Sequence, residues 1–222
     1  MTNGNGINVR KRDGSLTPLN LDKIHKVVEE ACEGLGSGVS ASAVEMNSGL
    51  QFFDGIETKD IQEILVRSAS DLISLESPNY QFVAARLLLY GVYKQVFGSE
   101  WVKGLPTVRD HCYRCVKSKV YDPAIIEKYT YEEWSKINSW IDHDRDTLFT
   151  YAGLRQVVDK YLVQDRSTNV VYETPQYMYM MIAVTLFQDY TDNRLDYIKR
   201  YYNAISKHKI NIPTPIMAGV RT

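Results

Sequence analysis

The chain has 222 residues, 44% of them apolar and 24% charged, a balance that excludes intrinsic disorder because enough apolar surface is available to offset the entropy of ordering. Twenty-six Lys and Arg against 27 Asp and Glu leave a formal charge of -1, which excludes a chain-wide electrostatic footprint for nucleic acid or an anionic membrane. Three cysteines are too few for a disulfide framework, no apolar signal core opens the chain, and the run Met178 to Val184 falls well short of the roughly 20 residues of a membrane span, so a cytoplasmic protein is expected.

Residues 9–19 read as a hairpin, with Asp13-Gly14 as a two-residue turn whose central positions need positive φ. Asn20 then caps a helix with its apolar stripe at Leu21, Ile24, Val27, Val28, Ala31, Cys32 and Leu35, and Gly34 and Gly36 stop it. Ser42 and Glu45 are placed as a capping box for a second helix, with Val44 and Leu50 facing inward. Asp54-Gly55 breaks the chain. Thr58 is expected to cap a third helix carried by Ile61, Ile64, Leu65, Ala69, Leu72 and Ile73, and Ser77-Pro78 to open a fourth through Val83, Leu87, Tyr90 and Tyr93.

Residues 98–106 read as a linker. Helices are then expected over 107–119, 131–142 (with Thr130 and Glu133 as a capping box) and 146–160, followed by a second hairpin from residues 161–163 and 170–172. Thr174-Pro175 starts a further helix, and Leu195, Ile198, Tyr202 and Ile205 mark another. Residues 210–220 read as a loop entering a strand. The fold class is mainly α, in two parts.

Arg10, Lys11 and Arg12 on the hairpin, Lys23 early in the first helix and Lys94 late in the fourth could hold a nucleoside triphosphate, because helix N-termini and ammonium groups both suit phosphate. The same charges also fit a solvated hairpin edge guarded against aggregation. Cys112 and Cys115 form a CxxC pair without the further ligands zinc needs or the βαβ setting of a redox pair, and they read as a packing face with Val108 and Val116. Asp142-His-Asp-Arg-Asp146 reads as a turn between helices, its Asp residues capping and Arg145 pairing locally. His25 and His208 read as surface residues, and no hydrolase elbow, Walker or Rossmann pattern occurs.

The segments Val9-Arg-Lys-Arg-Asp-Gly14, Leu19-Asn-Leu-Asp-Lys-Ile24, Phe53-Asp-Gly-Ile-Glu-Thr58, Asn79 to Leu87, Ile141 to Asp146, Lys160 to Gln164 and Pro213-Thr-Pro-Ile-Met-Ala-Gly-Val-Arg-Thr222 together resemble the large (α) subunit of aerobic class I ribonucleotide reductase. The resemblance implies an ATP-cone over residues 1–97, a β-hairpin cap on a four-helix bundle. It further implies a helical domain with a β-hairpin over 98–208, and at 209–222 the start of a ten-stranded α/β barrel that is missing here. It implies ATP or dATP, with Mg, as allosteric effector at Lys11, Arg12, Thr17, Asn20, Lys23, Thr58 and Lys94, and a substrate contact at Thr214. Gln62 stands where well-known members carry a histidine, which leaves dATP inhibition open.

The activity implied is reduction of ribonucleoside diphosphates by thiyl-radical chemistry, with the catalytic cysteines beyond Thr222. On that reading the chain alone is inactive and holds no metal. It works with the remaining C-terminal part of the large subunit, as a large-subunit dimer, and with a small β subunit carrying a di-iron centre and tyrosyl radical; thioredoxin or glutaredoxin is the reductant. The alternative is a stand-alone nucleotide-sensing regulator without enzymatic activity.

Overall fold

The structure, a computed structural model, describes residues 6–11, 13–49 and 51–222. The chain divides into two compact units, Met1–Gly91 with Thr147–Arg155, and Val92–Asp146 with Gln156–Thr222.

In the first unit β1 (Asn8–Arg10) pairs antiparallel with β2 (Leu16–Pro18). Only one residue of the expected two-residue turn has positive φ: Gly14, at 83°. Lys11 N–H extends the ladder to the Ser15 carbonyl and Gly14 N–H returns to the Lys11 carbonyl, each at 2.9 Å. The Asp13 carboxylate accepts from the Ser15 amide (2.9 Å) and hydroxyl (2.6 Å), which fixes the turn without a second left-handed residue.

Helix α1 (Leu21–Cys32) starts as expected, the Asn20 side chain accepting from the Lys23 amide at 2.9 Å, and it buries Val28 and Ala31. The next helix, α2 (Ala41–Gly49), is not opened by a Ser42–Glu45 box. Ser40 Oγ faces the Ala43 amide at 3.4 Å, and the Glu45 carboxylate is committed to His25 at 2.7 Å. Val44 is buried as expected, and Leu50 lies outside the described residues.

A strand that no alternation pattern marks, β3 (Ile56–Glu57), joins β1 in parallel and makes a three-stranded sheet in the order β2-β1-β3. Asp54 holds it in place by accepting from the Asn8 amide (2.7 Å) and side-chain amide (3.1 Å), and Gly55 turns the chain at φ 83°. Helix α3 (Thr58–Ser70) follows at once. Thr58 is its first residue and not its cap; Glu57 holds the cap position and makes no side-chain cap bond. Helix α4 (Tyr80–Phe97) begins two residues later than Pro78, after a turn in which the Ser77 carbonyl accepts from Tyr80. Val9 and Ile56 of the sheet join Val28, Val44, Leu65, Val83 and Leu87 in one core, with Tyr151 packed against it.

The second unit is helical around one buried rod. The expected linker contains a 3₁₀ turn, Gly98–Lys103, and leads to α5 (Val108–Lys117), α6 (Ala124–Glu127) and α7 (Tyr131–Asn138), the last with the full Thr130–Glu133 capping box. Residues 143–161 divide into a 3₁₀ segment His143–Leu148, α8 (Tyr151–Gln156) and a π-helical turn Val157–Tyr161, of which Thr147–Arg155 belong to the first unit. The second hairpin is β4 (Gln164–Asp165) with β5 (Val170–Val171), slightly inside the predicted segments. Helix α9 (Pro175–Leu186) is buried from Pro175 through Thr185, and α10 (Arg194–Ser206) and α5 pack on it.

The stretch read as entering a strand is instead a helix, α11 (Thr214–Gly219). Pro213 at its cap and Pro215 in its first turn fix the φ that a helix start requires, and Met217 is its buried residue. No barrel strand occurs among the described residues. No helix among them is long and apolar enough to cross a membrane.

Candidate functional site

The three-stranded sheet arranges the basic group by register. Arg10 lies beside Glu57 across the parallel β1–β3 pair, so Lys11 and Thr58, the residues that follow these strands, leave the sheet at the same end. Thr58 opens α3, whose first-turn amides receive no side-chain cap from Glu57, so an open helix N-terminus carrying a partial positive charge begins at the end of the sheet where Lys11 follows β1. Lys11 is exposed and makes no ion pair within 4 Å among the described residues. Lys59 is paired with Glu57 at 3.0 Å, and that carboxylate raises the Lys59 pKa.

Thr17 sits on β2 opposite Val9, on the strand next to Lys11's own. Asn20 and Lys23 lie at the far end of the sheet, because β2 runs antiparallel and delivers the chain to α1 beside Ile7: Leu19 N–H donates to the Ile7 carbonyl at 2.9 Å. Lys11 and Ile7 are four strand residues apart, about 14 Å. A single extended ligand would have to run along the sheet to touch both ends. The Asn20 oxygen is spent on the Lys23 amide, while the Lys23 ammonium is exposed.

Arg10 projects from the exposed face with Leu16. Arg12 lies outside the described residues. Lys94 is part-buried on the stretch of α4 that belongs to the second unit. Gln62, one turn beyond Thr58, donates its side-chain amide to the Leu87 carbonyl of α4 at 2.6 Å. Gly91 makes this approach possible, since a Cβ there would stand 3.2 Å from Gln62 Cγ.

In the second unit Thr214 is the exposed first residue of α11, beside the Tyr161 hydroxyl, and hydrogen bonding from Thr214 lowers the Tyr161 pKa. Beneath α11 lies a buried ionic cluster that sequence reasoning missed. Arg221 and Glu173, both fully buried, form an ion pair in which Arg221 Nε donates to Glu173 Oε2 at 3.0 Å. Tyr121 donates to the same carboxylate, as does the Val163 amide at 2.7 Å, and Arg221 donates to the Met217 (2.7 Å) and Tyr161 (2.9 Å) carbonyls. The only sequence signal was Arg221 inside the terminal motif; nothing local marks Glu173 as its partner, 48 residues away.

The Asp142–Asp146 segment follows expectation in part. Arg145 pairs with Asp142 at 3.0 Å. Asp146, however, does not cap a helix; it is 2% exposed and bonded to Tyr93 and Gln176, and burial pushes its pKa up to about 7. Cys112 and Cys115 lie buried on the packing face, as expected, and burial pushes the Cys112 thiol up to about 12, which keeps it inert. His111, stacked on Tyr177 at 4.0 Å, is held neutral by burial and by the Arg114 guanidinium. His25 is exposed as expected, but its ring lies between Glu45 (2.7 Å) and Glu29 (3.0 Å), which raise its pKa. No cluster of potential metal ligands occurs among the described residues.

Comparison with known proteins adds to this geometry. Residues 7–95 match the ATP cone domain, and residues 147–222 match the ribonucleotide reductase all-alpha domain. The chain is 47% identical over 215 residues to the ribonucleoside-diphosphate reductase subunit alpha of Haemophilus influenzae and to the ribonucleoside-diphosphate reductase 1 subunit alpha of Escherichia coli. It is 41% identical over 218 residues to the subunit alpha of Enterobacteria phage T4. These alignments cover 96–97% of this chain and 28% of each relative.

Proposed function

Because the chain is homologous to the N-terminal part of ribonucleoside-diphosphate reductase alpha subunits and carries their ATP-cone, we propose that its first unit is an allosteric site for ATP or dATP. The observation that carries the reading is the parallel register that brings Lys11 and the uncapped N-terminus of α3 to the same end of the sheet. Amide N–H groups donate to phosphate oxygens there, Lys11 supplies a point charge, and Thr58 adds a hydroxyl. Thr17, Asn20 and Lys23 line the route toward the other end of the sheet, with Arg12 and Lys94 as further contacts. Mg would travel with the nucleotide phosphates and needs no ligand cluster of its own.

The assembly this part serves reduces ribonucleoside diphosphates to deoxyribonucleoside diphosphates. Its partners are the remaining C-terminal part of the large subunit, a second large subunit, a small radical-generating β subunit with its di-iron centre and tyrosyl radical, and thioredoxin or glutaredoxin. Thr214 is the residue of this chain that would touch substrate. The chain spans 28% of the length of its relatives, and Cys112, with its raised pKa, is poorly suited to a redox step, so the chemistry falls to the remaining part.

Amide shift mapping of the chain with MgATP tests the placement. The reading expects the largest shifts at Lys11 and at Thr58 to Ile61, with smaller ones at Asn20 to Lys23. Shifts confined to the second unit would overturn it.

A further inference from the structure

A buried ion pair stabilises a fold little more than apolar packing of the same volume, so the fully buried Glu173 and Arg221 are to be explained by the geometry they impose. The Arg221 guanidinium is a planar fork, and its donors are shared among three elements. Nε and Nη2 meet the Glu173 carboxylate, just ahead of α9. Nη1 donates to the Met217 carbonyl of α11 at 2.7 Å, and Nη2 donates at 2.9 Å to the Tyr161 carbonyl, where the π-helical turn ends. Both ends of the pair are themselves anchored. The Arg221 carbonyl accepts from the Asp122 amide at 3.1 Å, and Glu173 accepts from Tyr121 and from the Val163 amide.

The two carbonyls held by the fork belong to the backbones that carry an exposed hydroxyl pair. Met217 lies one turn along α11 from Thr214, and the Thr214 hydroxyl bonds to Tyr161 Oη. Gln156 Nε2 donates to the same phenol oxygen at 3.4 Å. With its oxygen taken by two donors, Tyr161 keeps its own O–H for another partner, and Thr214 keeps its oxygen as an acceptor.

We propose that Arg221, anchored by Glu173, is the positioning residue that holds Tyr161 and Thr214 side by side as a donor–acceptor pair for the ribonucleoside diphosphate. One guanidinium fixes the π-helical turn and α11 against each other, so the two hydroxyls are joined before substrate arrives. This inference rests on the reading that Thr214 touches substrate, and it adds Tyr161 as the neighbouring contact.

The test is an NMR titration of the intact chain carrying isotope-labelled tyrosine, the Tyr161 signal being assigned by its loss in Tyr161→Phe. Thr214→Val removes a donor from the phenol oxygen and is expected to raise the Tyr161 midpoint toward the ordinary tyrosine value. Arg221→Lys keeps the positive charge but removes the fork, and is expected to give the same rise, with no further rise in the double variant. The nearby Lys160 charge is the same in every variant. Tyr121→Phe weakens the same buried cluster without touching either carbonyl, and is expected to keep the parent midpoint. Circular dichroism confirms that each variant is folded. If Arg221→Lys does not fold, Glu173→Asp, which draws the carboxylate back by one methylene, takes its place with the same expectation. A parent midpoint in Arg221→Lys, additive shifts in the double variant, or an equal shift in Tyr121→Phe would overturn the proposal. The titration contains no substrate, so it is decided apart from the reading of Thr214. In the whole enzyme Thr214→Val and Arg221→Lys are each expected to raise KM for the ribonucleoside diphosphate about fivefold at unchanged kcat, the worth of one neutral hydrogen bond. An unchanged KM in Thr214→Val would overturn the reading of Thr214 and with it the substrate role of the pair.

Discussion

Glu173 and Arg221 show how much one residue pair can bear. Both are fully buried, and each depends on the other to justify a charge away from water. Glu173→Ala strands the guanidinium, and urea unfolding at pH 7 should show a loss of about 3–5 kcal/mol. A loss under 1 kcal/mol would mean that water reaches the cluster. The pair was illegible in the sequence because its partners are distant in the chain and no spacing rule links them. Lys11 and Thr58 were legible only as separate residues. Periodicity marks neither the two-residue strand β3 nor its parallel register, and that register is what brings them to the same end of the sheet. The same limit hid Asp146: its motif reads as charged and therefore exposed, while the burial comes from Tyr93, Gln176 and Tyr202 on other helices.

Among the elements, helices with full amphipathic stripes and side-chain caps were readable, since those signals are local. Asn20 and Thr130 cap as their residue types require. Asn20→Ala should cost about 1 kcal/mol, read as a shift in denaturant midpoint without change in slope, because the Lys23 amide loses its acceptor. Elements set by competition between local and distant partners were misread. Glu45 had a box position but an attractive histidine across the helix pair, and residues 210–220 had strand composition but two prolines suited to a helical start. At the contact of α3 with α4, Gly91→Ala should crowd Gln62, whose Cγ would stand 3.2 Å from the new methyl. The gain in helix propensity of about 1 kcal/mol opposes this, so the net change in the single variant should be small. In a Gln62→Ala background the crowding is gone, and Gly91→Ala should stabilise. Destabilisation there would contradict the contact.

At the scale of the whole molecule, pH is the natural probe. His143 is driven down to about 4 by burial, and His111 is held neutral by burial and Arg114. Folded histidines with depressed pKa bind fewer protons than unfolded ones between pH 4 and 6.5, so their contribution to stability should fall as pH drops through that window, opposed by Asp146, whose raised pKa makes the folded state bind the extra proton there. His143 Nδ1 is moreover buried without a partner. His143→Leu should therefore be nearly neutral at pH 7.5 and more stable than the parent at pH 5, measured by urea unfolding at both. A variant equally destabilised at both pH values would show that the imidazole serves packing alone. The fold class and its division into a sheet-capped bundle and a helical part were visible in the order of elements. The boundary at which Thr147–Arg155 returns to the first unit was not, because Tyr151 joins that core from 60 residues beyond it in the sequence.

The central claim is that the first unit binds an adenine nucleotide through Lys11 and the α3 N-terminus. Calorimetric titration of the intact chain with MgATP and MgdATP, beside Lys11→Ala, tests it most directly. Saturable binding to the parent is expected, weakening at least tenfold in the variant while Asp146→Asn binds as the parent does. Parent and Lys11→Ala binding with equal affinity, or no heat of binding in a folded parent, would contradict it.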